Sequence, residues 1–544
     1  MSESSSRIPV DLRRFPGIRR FAADYAYDFP AIASFFSGNP ADRHAWAEAI
    51  GRTQAHARQR PEIAEILVAQ QRRRGAPAQA IEKARQLQDT KSVAIVTGQQ
   101  AGLFGGPLFT LFKALTALKL AAQAEREHHV AVIPIFWVDA EDHDWDEVRS
   151  CTVLDEANEP RTVALPPRSN DKLFPVSHVQ LDESISQVIS ELEGHLPATE
   201  FRSTLLDQLR GIYTPGSRMV DAFAKWLEQV LGRYGLVVYD CSDPAAKPIA
   251  ADIFTRELAT PGQTARLAAH DGQDLVARGY HAQVVPSDDS LALFRLDGER
   301  RAIRQHDGRF LVGETSYDPV ALREEARKQP AAFSPSVLLR PLVQDTLFPT
   351  VCYVAGPNEL AYLGQLREVY GHFKIPMPLM YPRASATLLT SASMRFLTKY
   401  GLPLEALQAQ DESALNELLK AQIPPAVEDS FAAAGAAIEA RMTAVIEALP
   451  AIDPTLEGAA KSTLGRMQHD LQTLHGKMIQ AAKRRDDTLR RQFVHTRALA
   501  FPHGHAQERT IAFVSFLNQY GPALVDRLHS ELPLDIGRHW VLTV

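Results

Sequence analysis

In the stretch IPIFWVDAEDHDWDEV, residues 133–148, six carboxylates and one histidine fall within nine positions, Asp139 to Glu147. Carboxylates and imidazole together can hold a divalent metal, bind an ammonium group, or take a proton from an amine before it attacks. Glu141, Asp142, His143 and Asp144 form the centre of this cluster. The competing reading is a solvated acidic loop. Trp137 and Trp145 flank the cluster, and a wet loop has little use for two large aromatic side chains. A second stretch, TGQQAGLFGGPLFTLFKA, places Gly98, Gly102, Gly105 and Gly106 between Thr97 and Pro107, with Lys113 beyond. It is neither a Walker loop nor GxGxxG. Its glycines would let backbone N–H groups approach a phosphate at a helix N-terminus, or would simply make a tight turn. Arg340 and Arg383 sit beside prolines in LLRPL and YPRAS. A guanidinium held there could grip a carboxylate or phosphate bidentately, or close a structural ion pair.

The elements around these residues form a pattern. Ser92–Val96 is a short β-branched run, and Val130–Val138 is another. Between them Leu108, Leu111, Phe112, Leu115, Leu118 and Lys119 follow helical spacing. Strand, glycine loop, helix and strand make a βαβ unit, so the strands should be parallel with a right-handed crossover. Gly235–Asp240 reads as a third strand, followed by an Asp243 cap before Pro244. Ligands of open parallel sheets bind beyond the strands' carboxyl ends. The glycine loop, the acidic cluster and the SDP turn all lie at such ends, which favours a site over a solvated loop.

The rest of the chain divides by character. Residues 40–90 read as helices, within an N-terminal helical segment of residues 1–90. Residues 280–313 alternate strand-like runs with Asp297-Gly298 and Asp307-Gly308, a hairpin signal and thus a small antiparallel insertion in a core of residues 91–389. From 390 to 500 the pattern is heptad-like. Phe431, Ile438, Met442, Val445 and Leu449 are followed, after Asp453-Pro454, by Leu464, Met467, Leu471, Leu474, Met478 and Ala481. This predicts an antiparallel helical hairpin whose apolar stripe either pairs with a second copy or packs on its own body. Residues 501–544 should return to the core.

Composition narrows the function classes. The chain has 544 residues, a formal net charge of −6, 45% hydrophobic and 23% charged residues. These values suit a multidomain globular protein with no whole-chain attraction for nucleic acid. No apolar run reaches the roughly 18–20 residues of a membrane span, and no secretory leader is visible. Cys151, Cys241 and Cys352 are widely separated, which fits a reducing cytoplasmic setting.

TGQQAGLFGGPLFTLFKA, FWVDAEDHDWDEV, GYHAQVV, SPSVLLRPLVQDTLFPTVCYVAGPNELAYLGQL, PMPLMYPRAS, FPHGHAQER and NQYG occur in that order from about residue 90 onward. Together they resemble the bacillithiol biosynthesis cysteine-adding enzyme family. The chain departs from the family pattern at His503, where asparagine is usual, and at Ala506, where proline or leucine is usual. No role is carried over for that asparagine. The resemblance implies a Rossmann-like α/β core like those of class I aminoacyl-tRNA synthetases and nucleotidyltransferases, with connecting insertions and a coiled-coil domain that makes a homodimer. It implies a ligase that joins L-cysteine to glucosaminyl-malate through an amide. Because that bond is uphill in water, ATP with Mg²⁺ is the expected activator, and no resident metal is expected. The resemblance marks the motifs as site-forming, and chemistry then suggests roles. Asp142, His143 and Asp144 would handle an amine. Gln99, Gln100, Glu141, Arg340, Asp345 and Arg383 would bind substrate. Thr97, Gly98, Gly102, Gly105, Gly106, Lys113 and Ser385 would hold nucleotide. Two alternatives remain at this point: a metal-dependent hydrolase built on the acidic cluster, and a non-catalytic coiled-coil binding protein.

Overall fold

The computed structural model describes residues 7–168, 174–287, 289–421, 425–485 and 487–544. Contacts divide the chain into two units. One runs to Thr387 and takes back Gln507–Leu542; the other is Leu388–Ala506.

The first unit is built on a five-stranded sheet. Its strands are β1 (Val93–Gln100), β2 (Val132–Asp139), β3 (Val237–Asp240), β4 (Thr350–Ala355) and β5 (Leu379–Pro382). Their order is β5-β4-β1-β2-β3, and every pairing is parallel. The strands read as continuous apolar runs because both faces are covered: β1 is buried from Val93 to Gly98, and β2 from Val132 to Val138. Helix α1 (Leu108–His128) makes the crossover from β1 to β2, so the expected βαβ unit is present. It buries Leu108, Leu111, Phe112, Leu115 and Leu118. Both strands continue past the apolar runs visible in sequence, through Gln100 and Asp139, because Gln100 still pairs with Asp139 across the sheet.

The chain moves outward from β1 to β2 and β3, then returns to the other side of β1 for β4. The topological switch point therefore lies between β1 and β4, where parallel sheets open a crevice. After β3, the Asp243 carboxylate accepts from the Ala245 N–H at 3.0 Å, and the turn leads into α2 (Lys247–Ala259). Two more helices flank the crevice, α3 (Arg340–Leu347) and α4 (Pro357–Leu363).

A separate antiparallel sheet contains Ser290–Leu296, Arg300–His306, Arg309–Val312, Thr315–Tyr317 and Phe333–Pro335. Asp307 and Gly308 both have positive φ, 47° and 73°, as a two-residue hairpin turn requires. Residues 43–86 contain three helices. The N-terminal segment is not all helical, however: Arg7–Asp11 pairs antiparallel with Arg538–Thr543.

The second unit contains a hairpin of α5 (Pro425–Ala448) and α6 (Leu456–Arg485). No residue of α5 is buried, and Val445, Met467 and Leu474 of the heptad seam are 47%, 39% and 56% exposed. Among the described residues no helix is long and apolar enough to cross a membrane.

Candidate functional site at the sheet switch point

A cavity of about 490 Å³ opens at the carboxyl ends of β1, β2 and β4. Gly98, Gln99 and Gln100 come from β1, Trp137 and Asp139 from β2, and Tyr353 from β4. Gly356 to Glu359 follow β4. Arg300 reaches the cavity from the antiparallel sheet, Arg340 from α3 and Arg509 from the returning segment. The lining thus mixes both signs of charge with aromatic faces, as sites for small polar molecules do.

The acidic stretch is sorted by its partners. Glu141 is buried and ion-paired with Lys247 of α2, whose ammonium also donates to the Phe333 carbonyl at 3.0 Å. Asp142 lines the cavity. It accepts from Gln100 Nε2 at 2.5 Å and from Arg300 Nη1 at 3.4 Å. His143 Nδ1 lies 3.4 Å from the same guanidinium nitrogen. Asp144 does not line the cavity; it caps the short helix Trp145–Val148 by accepting from the Glu147 N–H at 3.2 Å. Burial pushes the Glu147 carboxyl up, and Asp144 and Asp142 add to the shift. These acids do not bring three metal-ligand atoms together. Among the described residues the one such grouping is His270, Asp271 and Glu368, outside the cavity.

The glycine loop departs from its expected role as a phosphate cradle. The Gly102 N–H donates to Gln100 O at 2.9 Å, Gly105 to Gly102 O at 3.0 Å, and Gly106 to Leu103 O at 3.1 Å. The first helical N–H, from Leu108, donates to Ile511 O at 2.8 Å. A Cβ on Gly105 would lie 2.3 Å from the Phe513 ring. The loop is therefore a close-packed turn under the returning segment. The N–H groups of its three glycines already have acceptors, and Gly102, Gly105 and Gly106 do not line the cavity. Thr97 is also committed, its hydroxyl donating to Val354 O at 2.9 Å between strands. Gly98 does line the cavity. A Cβ there would meet the Trp137 carbonyl at 2.8 Å, so glycine allows the strands to close.

Several cations are paired within the protein. Lys113 is buried, donates to Gly98 O at 2.7 Å and to Gln99 at 3.0 Å, and pairs with Glu359 at 2.5 Å. Burial works against the Glu359 charge, but Lys113, the Gly356 N–H and the Tyr353 hydroxyl together hold the carboxyl below its ordinary range. Arg383 forms a buried two-point bridge to Glu508 at 3.0 and 2.7 Å, the structural alternative left open by the sequence. Ser385 donates to the same Glu508 and meets His539 Nδ1 at 2.7 Å. Asp345 is fully buried against Tyr370 and Gln344, at 2.6 and 2.9 Å. Ser385 and Asp345 lie outside the cavity lining. Arg340 differs, being buried beside the cavity with only neutral hydrogen-bond partners.

Sequence reasoning did not single out Arg300, Asp139, Glu359, Tyr362 or Arg509. Nothing in ERRAIRQ separates Arg300 from Arg301 and Arg304; the sheet register makes the choice. Arg300 Cζ lies 3.9 Å over the Phe294 ring, and Nη2 donates to Pro335 O at 2.9 Å. Glu359 carried a local signal in GPNE, because it reaches back to accept from the Gly356 N–H at 2.7 Å.

Residues 8–384 match the family model described as "Bacillithiol biosynthesis BshC, N-terminal Rossmann-like domain". Residues 386–544 match "Bacillithiol biosynthesis BshC, C-terminal coiled-coil domain". A Salinibacter ruber protein named "Putative cysteine ligase BshC" is 32% identical over 538 residues, covering 98% of each chain. Proteins of the same name from Chlorobaculum tepidum and Symbiobacterium thermophilum are each 32% identical. The first spans 87% of this chain and 86% of its own, the second 95% and 94%. Two family matches that together take in residues 8–384 and 386–544, with relatives of this identity and coverage, show that the chain belongs to the BshC family of bacillithiol biosynthesis.

Proposed function

We propose that this protein is a cysteine ligase that joins L-cysteine to glucosaminyl-malate by an amide bond in bacillithiol biosynthesis. The observation that carries the reading is the cavity at the β1/β4 switch point, lined by both carboxylates and guanidinium groups, in a member of this family. The two substrates together bear amines, carboxylates and a sugar, and that lining suits all three. An amine attacks only when uncharged, so a carboxylate near it assists as base. Asp142, with His143 beside it, is the group we assign to the glucosaminyl amine.

Carboxyl activation needs a donor, and we propose ATP with Mg²⁺. The glycine loop does not fit its phosphates, because its glycine N–H groups are used and Phe513 packs on Gly105. Arg509 fits better. It is exposed and lines the cavity, and no side-chain hydrogen bond or ion pair holds it among the described residues. Bound nucleotide would supply a leaving group for the cysteine carboxyl. Three buried, unpaired cysteines suit a cytoplasmic setting.

The deciding experiment supplies purified protein with cysteine, glucosaminyl-malate and ATP·Mg²⁺, then follows product, AMP and ADP by mass spectrometry. Product with AMP indicates an adenylate, and product with ADP an acyl phosphate. Absence of product from folded protein overturns the reading.

We further propose that two copies pair through the exposed seam of α5 and α6. Leu474→Glu should then shift the protein to monomer in sedimentation; an unchanged mass distribution removes the seam as the interface.

A further inference from the structure

Among the described residues, two enclosed charged groups on the cavity wall, unlike the exposed Arg509, lack a bonded opposite charge. Arg340 is 9% exposed, and among the described residues its guanidinium donates only to Gln344 Oε1 at 3.1 Å and Tyr362 Oη at 3.2 Å. It lies over the Trp137 ring, 5.9 Å from the centroid. Asp139 is the last residue of β2, and among the described residues its carboxylate accepts no hydrogen bond and enters no ion pair. The enclosed acids around it are committed: Glu141 to Lys247, Asp142 to Gln100 and Arg300, and Glu359 to Lys113.

These two groups share one side of the sheet. Trp137 and Asp139 are two residues apart in a strand and so point to the same face, the face that Arg340 covers. Each feels the other's field, yet they form no pair. Burial raises the Asp139 carboxyl; Arg340 opposes that shift, and Asp142 reinforces it. The Trp137 indole N–H is also buried without an acceptor. A charge held from water without a partner is costly, more so for the buried Arg340 than for the half-buried Asp139. Two opposite charges held apart in one cavity match a molecule that carries both.

We propose that Asp139 and Arg340 form the receptor for a free α-amino acid, Asp139 taking its ammonium and Arg340 its carboxylate, on either side of Trp137. This deepens the ligase reading and rests on it only for naming cysteine as that amino acid. The arrangement has a chemical consequence. An ammonium ion-paired to Asp139 is favoured in its charged form, which is no nucleophile, so this placement works against bound cysteine condensing with a second activated cysteine. The carboxylate to be activated lies at the guanidinium.

Calorimetric titration of the full-length protein tests this with three probes: L-cysteine, 3-mercaptopropionate, which lacks the ammonium, and cysteamine, which lacks the carboxylate. Charge-assisted hydrogen bonds of this kind predict that cysteine binds roughly ten- to a hundredfold tighter than either fragment. Asp139→Asn should remove that factor for cysteine and leave 3-mercaptopropionate unchanged. Arg340→Met should weaken cysteine and leave cysteamine unchanged. Asp139→Asn is nearly isosteric and removes a buried charge, so it keeps the test independent of any folding defect in the arginine variant. If Asp139→Asn weakens cysteine and 3-mercaptopropionate equally, or affects neither, the receptor is overturned while the ligase reading stands. If the wild type ignores cysteine but binds L-serine or L-alanine with the same dependence on Asp139, the receptor stands and the ligase reading falls. Binding of none of these amino acids overturns the receptor, and the product assay then judges the ligase reading separately.

Discussion

The loops after β1 and β2 leave adjacent parallel strands at the same edge of one sheet. Residues 101–107, after β1, are rich in glycine, while residues 140–147, after β2, are rich in acid. On sequence alone both have the composition of a ligand site. In the fold, the first is packed beneath Ile511–Phe513 with its glycine N–H groups bonded, whereas the second sends Asp142 and Glu147 to the cavity. The difference lies in what each composition permits. Glycine allows close approach by anything, including another part of the same chain. A carboxylate must be hydrated, paired or facing a ligand, so acids at a strand end exclude the dry packing that glycines invite.

The largest effect should come from the covered loop. Gly105 has φ of +97° and sits against Phe513 and Trp226. Gly105→Val combines backbone strain with overpacking and should cost about 3–5 kcal/mol of stability in denaturant unfolding. An unchanged midpoint would mean the loop opens readily, and would restore it as a phosphate site. The open loop should respond differently. Asp142→Asn is expected to lower ligation about a hundredfold or more, with melting nearly unmoved; unaltered turnover removes Asp142 from the chemistry. The smallest effect separates the two regions by pH. His539 is buried with Nδ1 at 2.7 Å from Ser385 Oγ and Nε2 at 2.8 Å from Thr387 Oγ1. Burial pushes it down to about 4 from an ordinary 6.5, with Glu508 opposing the shift. In the unfolded chain this histidine binds a proton near pH 6.5, while the folded chain resists until about 4. Its stabilising contribution is therefore full above 6.5 and lost as pH falls toward 4, by up to about 1.4 kcal/mol per pH unit. His539→Gln should flatten that limb of the stability curve. A limb of unchanged slope would assign the acid sensitivity to other groups.

Strands β1, β2 and β3 were legible because each is a short apolar run, and α1 because its leucines repeat at helical spacing; β4 and β5 were not read as strands. Asp297-Gly298 and Asp307-Gly308 marked hairpins because few residue pairs tolerate those turns. The site was less legible, for specific reasons. Whether a glycine loop meets a phosphate or a phenylalanine depends on Phe513, some 400 residues further along. Whether Arg383 grips substrate or Glu508 depends on a partner 125 residues along the chain. Asp139 was visible as one acid among six, but its significance is that Glu141 and Asp142 beside it are paired and it is not. That is a property of partners, and local sequence does not encode it.

The strand Arg538–Thr543 and the segment over the glycine loop have a consequence for synthesis on the ribosome. β1 and α1 emerge hundreds of residues before Ile511–Phe513, which satisfy the Leu108 N–H and cover Gly105. Until then the Leu108 N–H lacks its Ile511 acceptor and Trp226 lacks the Phe513 ring stacked on it. A chain stopped before residue 507 would lack Arg509 at the cavity and the cover on the loop. Such a fragment should be a substrate for chaperones and proteases rather than a weak enzyme, so the order of the chain itself acts as a check on completion.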